Sequence, residues 1–246
     1  LESLNIPITI TEIGSNSFQN CTSLKSVTLP SSITVLEDDT FNYCESLVMI
    51  KIPESVTTIK NQVFNSCKSL KEIIIPLSVT SLGNGVFYGC SSLVRYSIPS
   101  SINLIGKECF SYCSELTELE IPKSITKIPN SLFKGCKSLK SFNIPSHITS
   151  IEDYAFYNCE SLCELTIPSS VVSIGNNVFD YCSSIKQIEI PSSVTSIGCG
   201  VFSNCINLTK ITVPESTKTI GGLAFSRCSS LVNVEILSPI NVLKFS

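Results

Sequence analysis

A segment of 23 residues repeats along almost the whole chain, and this repetition is the strongest constraint on its fold. The copy Cys182-Ser-Ser-Ile-Lys-Gln-Ile-Glu-Ile-Pro191 shows its pattern. The ten cysteines that open the copies are Cys21, Cys44, Cys67, Cys90, Cys113, Cys136, Cys159, Cys182, Cys205 and Cys228. A period this strict is typical of stacked coils that contact only their neighbours. It predicts a single solenoid over residues 1–246.

Each repeat begins with a strand pattern. Ile188 and Ile190 alternate with Gln187 and Glu189, as in a strand with one buried face. Proline ends the strand because it cannot donate a ladder hydrogen bond. The segment 194–197 (Val-Thr-Ser-Ile) then predicts a second short strand. The predicted interior of one repeat comprises Phe156, Cys159, Leu162, Leu165, Ile167, Val171 and Ile174.

The second strand is followed by a turn and then by a polar column. Glycine is common at the turn, but Pro129 occupies the same column, so a positive φ is not required there. The polar column contains Asp38, Asn61, Asn84, Asn130, Asp153 and Asn176. Such residues before a short apolar segment are typical of helix N-caps. They predict a single helical or 3₁₀ turn in segments such as 154–158.

The cysteine column has two interpretations. Free cysteine is among the most buried residue types, which favours a column of interior thiols. The alternative is a disulfide framework, but strands about 4.8 Å apart hold in-register Cβ atoms farther apart than the roughly 3.8 Å of a disulfide. Outside the column, we expect Cys109 to be buried and Cys163 and Cys199 to be exposed.

The sequence predicts no enzyme and no cofactor. The one histidine, His147, replaces a serine of a loop column, and no nucleophile and base pattern accompanies it. The cysteine spacing contains no pair suited to zinc, and no Gly-rich phosphate loop is present. Glu118 and Glu120 lie on one strand face and are interpreted as a solvated acidic surface. We therefore predict no catalytic residue and no metal site.

Composition excludes other classes of protein. Apolar residues make up 43% of the chain and charged residues 15%, so an extended core is possible and disorder is not. A net charge of −3 without a basic run argues against nucleic acid as a partner. No apolar run approaches the ~20 residues of a membrane span, so no membrane insertion is predicted. The chain begins and ends within a repeat and has no clear capping repeats, which predicts a fragment of a longer protein.

The repeat is similar to a known family. The Leu-x-x-Ile-x-Ile core, as in 116–121, resembles a leucine-rich repeat strand, and the Ser-Ile/Val-Thr-x-Ile-Gly and Phe-x-x-Cys segments resemble the BspA-like class. The resemblance implies a β-rich α/β solenoid: a right-handed horseshoe of about ten repeats with a parallel sheet on its concave face. It also implies a non-enzymatic adhesive or protein-binding role at the cell surface or outside the cell.

If the sheet binds a partner, its outward side chains lie five and seven positions after each cysteine. The predicted contact residues are Glu72, Arg95, Ser97, Glu118, Glu120, Ser141, Asn143, Glu164, Thr166, Gln187 and Glu189. Ten strands form a surface roughly 45–50 Å long, which suits a protein or an extended polymer. Two alternatives stay open: a structural scaffold or self-associating spacer, and an intracellular interaction module. The oligomeric state is not predicted.

Overall fold

In the computed structural model, which describes residues 1–237, short parallel strands alternate with tandem turns. Residue contacts divide the chain into two compact units, Leu1–Ile125 (unit 1) and Thr126–Ser246 (unit 2). The single solenoid over residues 1–246 stays a prediction. Within residues 1–237, no helix is long and apolar enough to cross a membrane.

Unit 1 contains two sets of strands. The longer strands are β1 (Ser3–Asn5), β2 (Ser26–Thr28), β4 (Met49–Lys51), β7 (Arg95–Ser97) and β9 (Glu118–Glu120). The two-residue strands are β3 (Val35–Leu36), β5 (Thr58–Ile59), β6 (Ser81–Leu82) and β8 (Leu104–Ile105). The sheets have the orders β1-β2-β4, β7-β9 and β3-β5-β6-β8. Ile74 forms only an isolated parallel bridge with Lys51.

Unit 2 repeats this arrangement. The longer strands are β11 (Ser141–Asn143), β13 (Glu164–Thr166), β15 (Gln187–Glu189), β17 (Lys210–Val213) and β19 (Asn233–Ile236). The two-residue strands are β10 (Lys127–Ile128), β12 (Ser150–Ile151), β14 (Ser173–Ile174), β16 (Ser196–Ile197) and β18 (Thr219–Ile220). The sheets have the orders β11-β13, β15-β17-β19 and β10-β12-β14-β16-β18.

Within each sheet, every strand pairs in parallel with its counterpart in the adjacent coil, in the register of the repeat. Ile151 is opposite Ile174, and Ile174 is opposite Ile197. In the sheet of longer strands, Leu4 is opposite Val27, which is opposite Ile50. The predicted parallel-strand solenoid is therefore confirmed in both units. Its strands follow from the alternation of apolar and polar residues in each repeat.

The phenylalanine column fills the interior. Its buried members are Phe41, Phe64, Phe87 and Phe110 in unit 1 and Phe133, Phe156, Phe179 and Phe202 in unit 2. Neighbouring rings are stacked, with centroids 5.3–5.8 Å apart in unit 1 and 5.3–6.0 Å apart in unit 2. These separations are those of offset stacking, which is more favourable than direct ring overlap. Leu24, Leu47 and Leu70 are also fully buried.

The predicted helical turns are wrong. Residues 1–237 contain no helix, and segments such as 154–158 form tandem turns. Tyr154 and Asn158 have φ values of 57° and 59°, in the left-handed region that an α-helix excludes. The backbone N–H groups of Tyr154, Phe156 and Asn158 donate to carbonyls of the following coil at 2.8, 3.0 and 2.8 Å. Because these donors bond to the neighbouring coil, they cannot form the local bonds of a helix.

The polar column, predicted as helix N-caps, bonds between coils. The backbone N–H of Asn61 donates to Asp38 Oδ1 at 2.7 Å, and that of Asn84 donates to Asn61 Oδ1 at 2.8 Å. In unit 2, Asn176 and Cys199 donate in the same way to Asp153 and Asn176. Side-chain oxygens that would cap a helix therefore satisfy backbone donors 23 residues further along the chain.

Gly198, which follows a second strand, serves the close approach of two coils, and the proline in its column agrees that a positive φ is not required there. Gly198 does not have a positive φ. A Cβ atom added there would lie 2.5 Å from the carbonyl carbon and oxygen of Gly175. This distance is well inside van der Waals contact, so glycine lets the backbones of adjacent coils approach each other.

We predict that Phe64→Ala lowers the free energy of unfolding by about 3–5 kcal/mol, because it removes a fully buried ring between two stacked rings. Urea unfolding measures the change. The matched control is Ile74→Ala in the same unit, whose side chain is 83% exposed and whose effect we expect to stay within about 0.5 kcal/mol. A Phe64→Ala effect no larger than the control would contradict the stacked interior.

Candidate functional site

The outward side chains of the longer strands, together with those of the bridge residue Ile74 and its neighbour Glu72, form the candidate site, here called the strand face. In β9, Glu118 and Glu120 are exposed while Leu119 between them is buried. The same alternation exposes all eleven residues predicted from the sequence. Five of them lie in unit 1 and six in unit 2. The strand geometry explains this exposure, since successive side chains point to opposite faces.

In unit 1, the register brings a cation next to one of the predicted acids. Arg95 is opposite Glu118, and the Arg95 Nε to Glu118 Oε2 distance is 3.7 Å. Both side chains are exposed, so the pair contributes little to stability. Ser97 is opposite Glu120, and within residues 1–237 no ion pair involves Glu120. The sequence interpretation of a solvated acidic surface did not include this pair, for which the 23-residue spacing of Arg95 and Glu118 was the signal.

Two exposed apolar side chains also belong to the strand face of unit 1. Met49 in β4 is 61% exposed, and Ile74 in the next coil, which bridges to Lys51 of β4, is 83% exposed. Lys51 and Glu72 lie in the same outward columns. Exposed methionine within a polar rim is a common feature of protein-binding surfaces. The contact residues predicted from the sequence did not include Met49 and Ile74. Their signal was an apolar side chain in an outward column that is otherwise mostly polar.

In unit 2, the strand face contains a groove of about 640 Å³. The predicted residues Thr166, Gln187 and Glu189 line it. The groove coincides with a break in the sheet, because β13 and β15 belong to separate sheets. Leu165 of β13 also lines the groove and is half-buried, whereas the sequence predicts an interior position for it.

The other predicted residues of unit 2 lie on strands beside this groove. Ser141 is opposite Glu164, and Asn143 is opposite Thr166. On the other side, Gln187 is opposite Lys210, a groove-lining cation that the prediction omitted. The signal for Lys210 was its place in the same outward column as Gln187. The groove thus combines an acid, a base and neutral polar groups.

The column cysteines are interior thiols. All 13 cysteines are free; those at positions 44 through 205 of the column are buried, and Cys21 and Cys228 are half-buried. Thiols of the column donate to phenylalanine carbonyls of the preceding coil, as Cys67 Sγ does to Phe41 O at 3.3 Å and Cys182 Sγ does to Phe156 O at 3.1 Å. Burial raises the pKa of the Cys44 and Cys109 thiols to about 12. A nucleophile must be a thiolate, so these groups are unreactive.

The cysteines outside the column lie where the sequence predicts. Cys109 is buried, and Cys163 and Cys199 are exposed. Cys199 donates its backbone N–H to Asn176 Oδ1. The two exposed thiols belong to different columns of the repeat and form no cluster: within residues 1–237, no three His, Cys, Asp or Glu side chains are placed to hold a metal ion.

His147 lies in a loop column whose serines bond between coils, as Ser193 Oγ does to Val171 O at 2.6 Å. The imidazole is half-buried, and its Nε2 has no hydrogen-bond partner within residues 1–237. A catalytic base is oriented by a partner and reaches a nucleophile. The position of His147 therefore fits a loop substitution.

Known proteins share these repeats. Residues 1–117 and 103–232 match the family described as a BspA type leucine rich repeat region, with six copies. The chain belongs to this family. The match confirms the resemblance read from the sequence and, with the parallel strands, the fold class. Leucine-rich repeats are a protein-interaction type of fold, and the family is generally non-enzymatic. No curated protein matches the chain.

Solved structures extend the comparison. A leucine-rich repeat protein from Bacteroides ovatus is 31% identical to this BspA-type chain, with a TM-score of 0.90 over 99% of this chain and 70% of that one. A leucine rich cell surface protein from Faecalibacterium prausnitzii is 29% identical, with a TM-score of 0.59 over 96% and 79%. A leucine-rich repeat protein of T. pallidum is 28% identical, with a TM-score of 0.54 over 75% and 78%.

We predict that two thiols of the native protein, Cys163 and Cys199, react rapidly with a maleimide at neutral pH, because they are exposed. The half-buried Cys21 and Cys228 should react more slowly, and all 13 thiols should react after unfolding in non-reducing denaturant. Mass spectrometry of the labelled peptides gives the count. Labelling of buried column cysteines at the rate of Cys163, or missing thiols after unfolding, would contradict the thiol column.

We also predict that the protein loses stability above pH 9. The pKa of Cys109 rises from 9.0 to about 12 on folding, so the unfolded state ionises first as the pH increases through this window. The variant Cys109→Val introduces the residue found in the same column at Val86 and Val178. It should reduce the fall in the free energy of unfolding by up to about 1.4 kcal/mol per pH unit. Urea unfolding between pH 7 and 11 measures it. Equal slopes for both proteins would show that the thiol does not titrate on unfolding.

Proposed function

We propose that this chain is a non-enzymatic adhesion module that binds a protein or another extended polymer through its strand face. The observation that carries the proposal is the exposure of all eleven predicted residues, which lie in the outward columns of the repeat in each unit. These side chains are not needed for packing, since the buried residues between them fill the interior. A regular ladder of outward polar side chains suits a long partner that contacts several strands at once.

The charges indicate the chemistry of the partner. Glu120, Glu164 and Glu189 are exposed on the strand face, and within residues 1–237 none of them forms an ion pair. A partner with lysine or arginine side chains would find complementary charge there, which increases the rate of association and the specificity. Met49 and Ile74 offer apolar anchors for the same partner in unit 1.

The location we propose is the cell surface or the extracellular medium. The similar protein from Faecalibacterium prausnitzii is described as a cell surface protein. The proposed partner is therefore a protein or another polymer outside the cell. Nucleic acid is not proposed, because the chain has a net charge of −3 and no basic run.

The test reverses three charges on the strand face. We expect the triple variant Glu118→Lys, Glu120→Lys and Glu164→Lys to bind an array of extracellular matrix proteins at least tenfold more weakly than the parent chain, equivalent to about 1.4 kcal/mol. Surface plasmon resonance at two salt concentrations measures the affinity. The loss should be larger at low salt, because screening weakens exposed charge pairs.

The matched control changes the net charge by the same amount elsewhere. Glu12, Glu54 and Glu215 are exposed loop residues outside the strands, and their reversal to lysine should leave binding unchanged. If the strand-face variant binds as well as the parent, the strand face is not the contact surface. If both variants lose binding equally, only the overall charge matters and the proposed location of the site is wrong.

A further inference from the structure

A second groove, of about 480 Å³, lies among the tandem turns of unit 1 and away from the strand face. It spans three consecutive coils, from Asn61 to Glu108. Gly85 occupies the column that Gln62 and Glu108 fill in the coils before and after it. All three have a positive φ, so the column does not itself require glycine. The missing side chain of Gly85 leaves space between its two larger neighbours.

A comparison with unit 2 shows that glycine alone does not make such a groove. Gly200 occupies the same column there, but a Cβ atom on Gly200 would lie 2.5 Å from Asn177 Nδ2. The neighbouring amide therefore covers the space at Gly200. A Cβ atom on Gly85 would have only ordinary contacts, 3.4 Å to Gln62 Cγ and 3.6 Å to Tyr88 Cβ. The side chains next to Gly85 therefore do not cover the space above its backbone, and the groove stays open.

Amide side chains supply oriented donors in this groove. Asn61 Oδ1 accepts the backbone N–H of Asn84 at 2.8 Å, and Asn84 Oδ1 accepts that of Lys107 at 3.1 Å. These bonds fix the orientation of both amides and leave their Nδ2 groups as donors. Within residues 1–237, neither Nδ2 donates to a protein acceptor. Asn65 Nδ2 donates to Gln62 Oε1 at 3.1 Å, which likewise orients the Gln62 amide.

An aromatic ring and two opposite charges complete the lining. Tyr88 is half-buried, and its ring packs against Tyr112 with centroids 5.2 Å apart. Burial raises the pKa of Tyr88, so its hydroxyl stays neutral and can both donate and accept. Lys107 and Glu108 add one charge of each sign. No aliphatic side chain lines the groove, which disfavours an apolar ligand.

We propose that the groove at Gly85 binds a neutral carbohydrate of one or two sugar units. A sugar presents many hydroxyl groups, which match the oriented amides of Asn61, Asn84 and Gln62, and a face of C–H groups, which packs on an aromatic ring such as Tyr88. The balanced charges of Lys107 and Glu108 favour a ligand without net charge. The volume lies within the range of small-molecule sites.

Saturation-transfer NMR of the whole chain with maltose, lactose, cellobiose and N,N′-diacetylchitobiose tests the proposal. We expect at least one disaccharide to bind with a millimolar dissociation constant. Tyr88→Ala, which removes the stacking ring, should weaken that binding at least tenfold. Gly85→Asn should do the same by filling the space, and the fold tolerates asparagine in this column at Asn177 with a φ of 52°. Thermal unfolding confirms that both variants are folded.

The matched control is Tyr181→Ala, which removes an exposed tyrosine from the tandem turns of unit 2. It should leave binding unchanged, as should reversal of the strand-face glutamates, so this site and the proposed adhesive function can fail separately. The proposal is overturned if none of the four disaccharides binds the parent chain. It is also overturned if Tyr88→Ala and Gly85→Asn, both folded, bind as well as the control.

Discussion

Hydrogen bonds between the backbones of neighbouring coils are the interaction on which the rest of each unit depends. They join the strands in parallel, and in the tandem turns they join groups such as Phe156 N–H and Val178 O. Side-chain bonds add to them in the polar column, where Asp38 Oδ1 accepts the backbone N–H of Asn61. A single coil leaves all these groups unsatisfied and its phenylalanine without a stacking partner. Because buried backbone groups must be paired, each coil is stable only against another.

This dependence separates structural from functional positions. The columns of Phe, Leu and Cys lie between coils, so a change there disturbs both neighbours. The outward columns of the longer strands contribute only their backbones to the ladder. Their side chains are free to be acidic at Glu120, basic at Lys210 or apolar at Ile74 without altering the fold. The same holds in the tandem turns, where the bare backbone of Gly85 opens a groove in a surface that other side chains cover.

Most of the architecture could be predicted because each position of the repeat occurs about ten times in the sequence. The alternation around Ile188 indicated a strand, and Pro129 showed that its column does not need a positive φ; both predictions are confirmed. The helical turns were wrong for a physical reason. An Asp or Asn before a short apolar segment is suited to capping a helix and equally suited to bonding a neighbouring coil. Only the position of the neighbouring coil distinguishes a helix cap from a bond between coils. The sequence of one segment does not specify that position.

The sequence by itself determined which side chains are inside, Leu165 excepted, because burial follows from a periodicity that can be counted. It determined the exposure of the candidate strand-face residues and of Cys163 and Cys199 for the same reason. Tertiary structure decided how those side chains meet. The Arg95–Glu118 contact, the break in the sheet beside Leu165 and the open space at Gly85 depend on distances between residues of different coils. Such distances are set by how adjacent coils pack, and a pattern within one repeat does not specify them.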